Sequence, residues 1–124
     1  MNNKRLGSKF ERVFCELLAK KGYWVHLIAP ASRGAQPFDV IAVKAGNAYA
    51  YDCKTSVKQI FPISRLEENQ ICAFEKWLAC GNTVPRIAVL FQDCIYIVNY
   101  TILKEEGKVD LKRRAVCIAE NISE

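Results

Sequence analysis

The sequence predicts an α/β protein with one mixed central β-sheet flanked by helices. Three observations carry this. Leu6, Phe10, Val13, Phe14, Leu17 and Leu18 recur at helical spacing over residues 7–21. Pairs of short apolar runs then meet at turn residues, around Lys44–Asn47 and around Asp93. Between those pairs lies a second amphipathic stretch, with Leu66, Ala73, Phe74 and Trp77 on one helical face. At 124 residues, 51% of them apolar, the chain suits one compact domain spanning 1–124.

Each element has its local reason. Gly22 ends the first helix, as glycine does just past a helix C-terminus. Tyr23–Ile28 reads as a strand, and residues 29–37, APASRGAQP, as a loop of small residues, Pro and Gly. Phe38–Val43 and Ala48–Thr55 are strands. After Pro62, Ser64 is the expected N-cap of the second helix, with Glu67 completing a Ser-x-x-Glu capping box. That helix runs to about Cys80 and stops at Gly81. Arg86–Gln92 and Cys94–Tyr100 are two more strands, KEEGKVDLKRR is a polar patch in the tail, and Ala115–Ile118 is a last short strand. The order is αβββαββ.

Several function classes drop out. No apolar run approaches the about 18 residues of a membrane span, and the N-terminus, MNNKRLGSKFERVF, lacks a signal peptide's apolar stretch. A soluble, cytoplasmic protein with no membrane partner is expected. The six cysteines show no CxxC pairing and most have apolar neighbours, which points to reduced core thiols. The single histidine, His26, reads as structural and leaves no zinc ligand set. Charge is uneven: of 18 Lys/Arg and 13 Asp/Glu, seven and two fall in the first 36 residues, and the rest balance. The net excess of +5 therefore sits at the N-terminal end, on Lys4, Arg5, Lys9, Arg12, Lys20, Lys21 and Arg33. Such an end suits a polyanion, and equally a solvated basic helix.

The stretch AQPFDVIAVKAGNAYAYDCKTS places two acids and a lysine inside an apolar hairpin. A turn centred between Ala45 and Gly46 pairs residues whose indices total 91, so Asp39 faces Asp52 on one sheet face, their Cβ atoms about 5 Å apart. Lys54, two residues on, points the same way. Facing carboxylates repel and raise each other's pKa. Lys54 offsets part of this in a salt-bridged surface hairpin. A divalent cation offsets it better, because Mg²⁺ takes one or two carboxylates plus water and phosphate oxygens. Such a metal beside a lysine suits phosphodiester cleavage. Glu11 lies on the margin of the first helix's apolar stripe, able to turn toward the sheet or toward water. Gln70 lies at the centre of the second helix's apolar face, where its amide needs a partner, either backbone or a metal-bound water or phosphate. Ser32, Arg33 and Gly34 precede Asp39 in the loop and carry groups that contact phosphates.

Together these residues resemble the PD-(D/E)XK nuclease superfamily: a helix glutamate (Glu11), an aspartate opening a strand (Pro37-Phe38-Asp39), and acid-x-Lys on the next strand (Asp52-Cys53-Lys54). The αβββαβ order fits that restriction-endonuclease-like core. Within it the chain resembles the Holliday-junction resolvases. GSKFERVFCELLAKKGYWV and the serine-containing loop are similar to the archaeal type, and YDCKTSVKQIFPISRLEENQICAFEKW to the bacterial RecU type, whose functional glutamine is matched by Gln70. The chain departs in having Asp52 where Glu is frequent, in Phe38 separating Pro37 from Asp39, and in lacking room for the RecU-type stalk.

The resemblance implies a Mg²⁺-dependent endonuclease, with Mn²⁺ as an alternative ion, acting on four-way DNA junctions in recombination and repair. Asp39, Asp52 and the Cys53 carbonyl would hold the metal. Glu11 and Gln70 would complete the shell, and Lys54 would orient the attacking water. Ser32, Arg33, Lys4, Arg5, Lys9 and Arg12 would contact DNA. A homodimer would match a two-fold substrate, with Ile95, Tyr96, Ile97 and Val98 as candidate interface or as core. Alternatives are a flap, end or site-specific duplex nuclease on the same fold, and a non-catalytic DNA-binding module.

Overall fold

The computed structural model describes residues 3–28 and 37–122, with side chains from Lys9 onward. Helix α1 (Asn3–Lys20) buries Phe10, Phe14 and Leu18, as its stripe requires. It ends with Gly22 at φ 94°, where Tyr23 N–H donates to the Leu18 carbonyl at 3.1 Å and Gly22 N–H to Ala19 at 3.0 Å. These two bonds are the Schellman pattern, which needs a residue tolerant of positive φ.

Strands β1 (Trp24–Leu27), β2 (Val40–Lys44) and β3 (Asn47–Thr55) form an antiparallel meander. Ala45 (φ 52°) and Gly46 (φ 80°) make the two-residue turn between β2 and β3, and two positive φ values are what a type I′ hairpin requires. The register follows from that turn, from Lys44 opposite Asn47 to Val40 opposite Tyr51.

Strand β4 (Ile60–Pro62) leads through a 3-10 turn (Ile63–Arg65) to helix α2 (Glu68–Ala79). The expected Ser64 cap is not used. Ser64 lies within the 3-10 turn, which Leu66 N–H closes onto the Ile63 carbonyl at 2.9 Å, and the buried Leu66 is extended (ψ 137°). The helix can therefore start only at Glu67, and Gln70, three residues on, reaches back to the N-cap N–H.

Strands β5 (Arg86–Phe91) and β6 (Cys94–Asn99) complete the main sheet with β8 (Val116–Ala119), in the order β1-β2-β3-β5-β6-β8. Among the described strands only β3 and β5 pair in parallel, joined by the crossover that carries α2. Alternation along the strands gives the sheet two apolar faces. One, with Val40, Ala42 and Tyr51, packs under α1; the other, with Ile87, Val89 and Val98, packs under Phe74 of α2.

The tail departs from expectation. Residues read as a polar patch form helix α3 (Tyr100–Glu106), strand β7 (Lys108–Asp110) and helix α4 (Leu111–Arg114). Strand β7 pairs with β4, and Leu103, Val109 and Leu111 are buried. Leu103, Val109 and Leu111 belong to three different short elements, so no window is long enough to show a period.

Smaller points settle as well. Ile95, Tyr96 and Val98 are buried in the protomer and Ile97 half-buried, so of the two readings of this run, interface or core, the core holds. Cys72, Cys80 and Cys117 are exposed, so only Cys15, Cys53 and Cys94 behave as partly buried thiols. His26 is exposed on β1. Among the described residues no helix is long and apolar enough to cross a membrane.

Candidate active site

The hairpin sets the site. Asp39 stands one residue before β2 and is pinned on both sides by backbone: its N–H donates to the Tyr51 carbonyl at 3.0 Å, and its carbonyl accepts from Ile28 N–H at 2.9 Å. Phe38 fixes it from the chain side, stacking on Phe74 with centroids 5.5 Å apart and 8° between planes. The register that pairs Val40 with Tyr51 brings Asp39 beside Asp52. Asp39 Oδ2 crosses to accept the Cys53 N–H at 2.7 Å.

Asp52 is only 1% exposed. Its Oδ1 accepts from Gln70 Nε2 at 2.9 Å. Its Oδ2 is buried with no hydrogen-bond partner among the described residues, and Lys54 Nζ stands 3.4 Å from it as an ion pair. The same ammonium lies 3.4 Å from Gln70 Oε1. Gln70 takes the backbone partner the sequence allowed, Oε1 accepting the Glu67 N–H at 2.9 Å and capping α2, and adds one the sequence did not suggest, Nε2 donating to Asp52. The apolar face of α2 thus delivers a polar group to the sheet, and the group is satisfied at both ends.

The electrostatics record the crowding. Burial, and then the neighbouring Asp39 charge, push the Asp52 carboxyl up to about 8, with Lys54 pulling the other way. Glu11 is half-buried on the margin of α1; burial and the Asp39 charge raise its carboxyl as well. The Cys53 thiol is pushed up by burial and by the Asp39 and Asp52 charges. It packs in the cluster beneath α1, which leaves only the residue's backbone to face the acids.

The donor set fits a hard divalent cation. It offers carboxylate oxygens, one of them a buried acceptor without a donor, and a local excess of negative charge that burial makes costly. Among the described residues, no three of His, Cys, Asp and Glu gather tightly enough to hold a metal by themselves. A cation here would need water or phosphate oxygens to fill its shell, as Mg²⁺ ordinarily does.

Other expected residues fall elsewhere. Ser32 and Arg33 lie outside the described residues, as do the side chains of Lys4 and Arg5. Lys9 is half-buried and Arg12 exposed on α1. Arg65 escaped the sequence reading: its guanidinium donates to the Thr55 carbonyl at 2.8 Å and ties down the strand end after Lys54. Nothing in the sequence distinguishes it from any other surface arginine.

Comparison with known proteins bears on the fold and the family. A curated relative, the crossover junction endodeoxyribonuclease Hjc of Methanocaldococcus jannaschii, is 31% identical over 117 residues, covering 92% of this chain and 83% of the relative. The solved structure of Archaeoglobus fulgidus Hjc, a Holliday junction resolvase from an archaeal hyperthermophile, superposes with a TM-score of 0.71 at 18% identity, covering 94% of this chain and all of that one. The sequence model of the archaeal Holliday junction resolvase (Hjc) family matches residues 2–123, and the chain belongs to that family.

Proposed function

We propose that this chain is a metal-dependent endonuclease that resolves four-way DNA junctions, with Asp39, Asp52 and Lys54 as its reacting centre. The observation that carries this reading is the buried Asp52 Oδ2, left without a hydrogen-bond donor beside a second carboxylate. The Lys54 ammonium, 3.4 Å away, pairs with that atom by charge but makes no hydrogen bond to it, which leaves the oxygen able to take an ion. Membership of the Hjc family supports nuclease chemistry and the junction as substrate.

In this reading Asp39, Asp52 and the Cys53 carbonyl hold one Mg²⁺, or Mn²⁺ in its place, with Glu11 joining through water. The bound ion would supply Lewis-acid polarisation of the scissile phosphate and the attacking water. The remaining tasks fall to the chain. Gln70 holds Asp52 Oδ1, so that Oδ2 keeps its direction toward the shared pocket. Cys53 N–H holds one oxygen of Asp39 and sets the rotamer of that carboxylate. Lys54, partly shielded and 3.4 Å from Asp52, orients the nucleophilic water and balances charge that grows on the phosphate. Arg12, Lys9, Lys4, Arg5, Ser32 and Arg33 supply phosphate contacts that carry salt-dependent affinity without sequence preference. Two such sites in a homodimer would nick the symmetric strands of a junction.

The test is direct. Four-way junction, flap and linear duplex are incubated with the protein in Mg²⁺ or EDTA, beside Asp52→Asn. Paired symmetric nicks in the junction alone, abolished by EDTA and by the substitution, are expected. Cutting of flap or duplex at equal rates would replace the resolvase by a general nuclease. Binding without cutting, unchanged by Asp52→Asn, would replace it by a binding module.

A further inference from the structure

Trp24 and His26 take no part in the site described above. They occupy alternate positions on β1, an edge strand of the main sheet, and so stand on one face. Trp24 is 63% exposed, and its ring lies 10° from parallel to that of His26, with centroids 6.2 Å apart. Two flat rings thus form an offset stack on the open edge of the sheet.

The register ties this stack to the acids. Trp24 opposes Val43 and His26 opposes Ile41; the next position of that face on the second strand is Asp39. On the third strand Ala50 opposes Ile41, and the next position of the same face is Asp52. At about 3.4 Å per residue, the His26 row lies about 7 Å from the acid row and the Trp24 row about 14 Å. One strand of DNA advances about 3.4 Å per nucleotide, so the rings stand roughly two and four nucleotide steps from the scissile phosphate. The cations at this end lie on the other face of the sheet, beside α1: Lys44, one residue past Val43, sits 5.1 Å over the Tyr23 ring and donates to the Lys21 carbonyl at 2.6 Å.

Exposed aromatic faces on the sheet face that also carries a phosphodiester-cleaving centre match a nucleobase. We propose that Trp24 and His26 are a stacking platform for an unstacked base of the junction, so that this edge of the sheet helps tell branched DNA from linear duplex. The bases of an intact duplex have both faces buried in the stack and offer the platform nothing; a branch point exposes them. The inference rests on the nuclease reading of the Asp39–Asp52 site.

The experiment uses the full chain in EDTA, titrated with a four-way junction and with linear duplex of the same sequence. Wild type, Trp24→Phe, Trp24→Ala and His26→Ala are compared, with sedimentation of each. Trp24→Ala should weaken junction binding roughly 5- to 150-fold, the range seen for loss of one base–aromatic stack. Trp24→Phe should retain most of the affinity, and duplex binding should not change. Tryptophan emission of the wild type should be quenched by junction and not by duplex. Trp77, whose Nε1 donates to the Thr83 carbonyl at 2.7 Å, is the remaining fluorophore in Trp24→Phe and reports the background. Equal losses on junction and duplex, no loss at all, or a change of oligomeric state in Trp24→Ala would each overturn the platform; the last would assign the face to a second copy of the chain. A wild type that neither binds nor cuts a junction, even in Mg²⁺, removes the nuclease reading and the platform together. A wild type that cuts junctions, beside a Trp24→Ala that binds them equally well, removes the platform alone.

Discussion

Replacing Asp52 by asparagine should stabilise the metal-free protein while it destroys activity. The folded state keeps the Asp52 proton to about pH 8, whereas the group ordinarily releases it near 3.8. Across that window the native state binds more protons than the unfolded chain, so stability falls as pH rises through it. Each pH step costs about 1.4 kcal/mol, which sets a ceiling on the order of 4 kcal/mol at pH 7. Asparagine keeps an acceptor for Gln70 Nε2 and removes the buried charge. It also loses the Lys54 ion pair, seen at 3.4 Å, which returns part of the gain. A net gain of about 2 kcal/mol, or roughly 5–10 °C in Tm, is the expected result at pH 8. Thermal melts of both proteins in EDTA from pH 5 to 9 make the measurement. The curves should converge toward pH 5 and separate toward pH 9, and Mg²⁺ should narrow the gap by stabilising the wild type. Parallel curves, or an asparagine variant no more stable than the wild type at pH 8, would refute the claim that a buried carboxylate is held there at a cost.

Further outcomes follow from the same geometry. Lys54→Met should slow junction cleavage roughly 10²- to 10³-fold while gel-shift affinity for the junction is kept; a comparable loss of binding would make Lys54 a DNA anchor instead. Gln70→Ala leaves the Glu67 N–H and Asp52 Oδ1 without their side-chain partner, and urea unfolding should show a loss of about 1–3 kcal/mol. Leu103→Ala, in the buried tail segment, should cost about 2–5 kcal/mol in the same assay. A loss below about 1 kcal/mol would mean that α3 is not part of the cooperative core.

The hairpin was legible because its turn dictates its register. Once Ala45 and Gly46 occupy the turn, every opposed pair follows, and the meeting of Asp39 with Asp52 is arithmetic rather than tertiary packing. Gln70 was legible as a polar residue on an apolar stripe, although its double use, capping α2 and holding Asp52, was not. The start of α2 was misread because Ser64-x-x-Glu67 and Glu67-x-x-Gln70 are both capping patterns; burial of Leu66, a tertiary effect, selects the second. The β4–β7 pair joins residues about fifty apart through three-residue strands, too short to leave a period. The exposure of Trp24 and His26 was hidden for a related reason. Periodicity identifies a strand, and only the sheet order reveals that β1 lies on the edge.

If Asp39 and Asp52 grip one divalent cation, anomalous diffraction from crystals soaked in Mn²⁺ will locate it. A single peak within coordination distance of both carboxylates is expected, with Lys54 close by but outside the shell. A peak held by one acid alone, or no peak at that end of the hairpin at millimolar Mn²⁺, would contradict it.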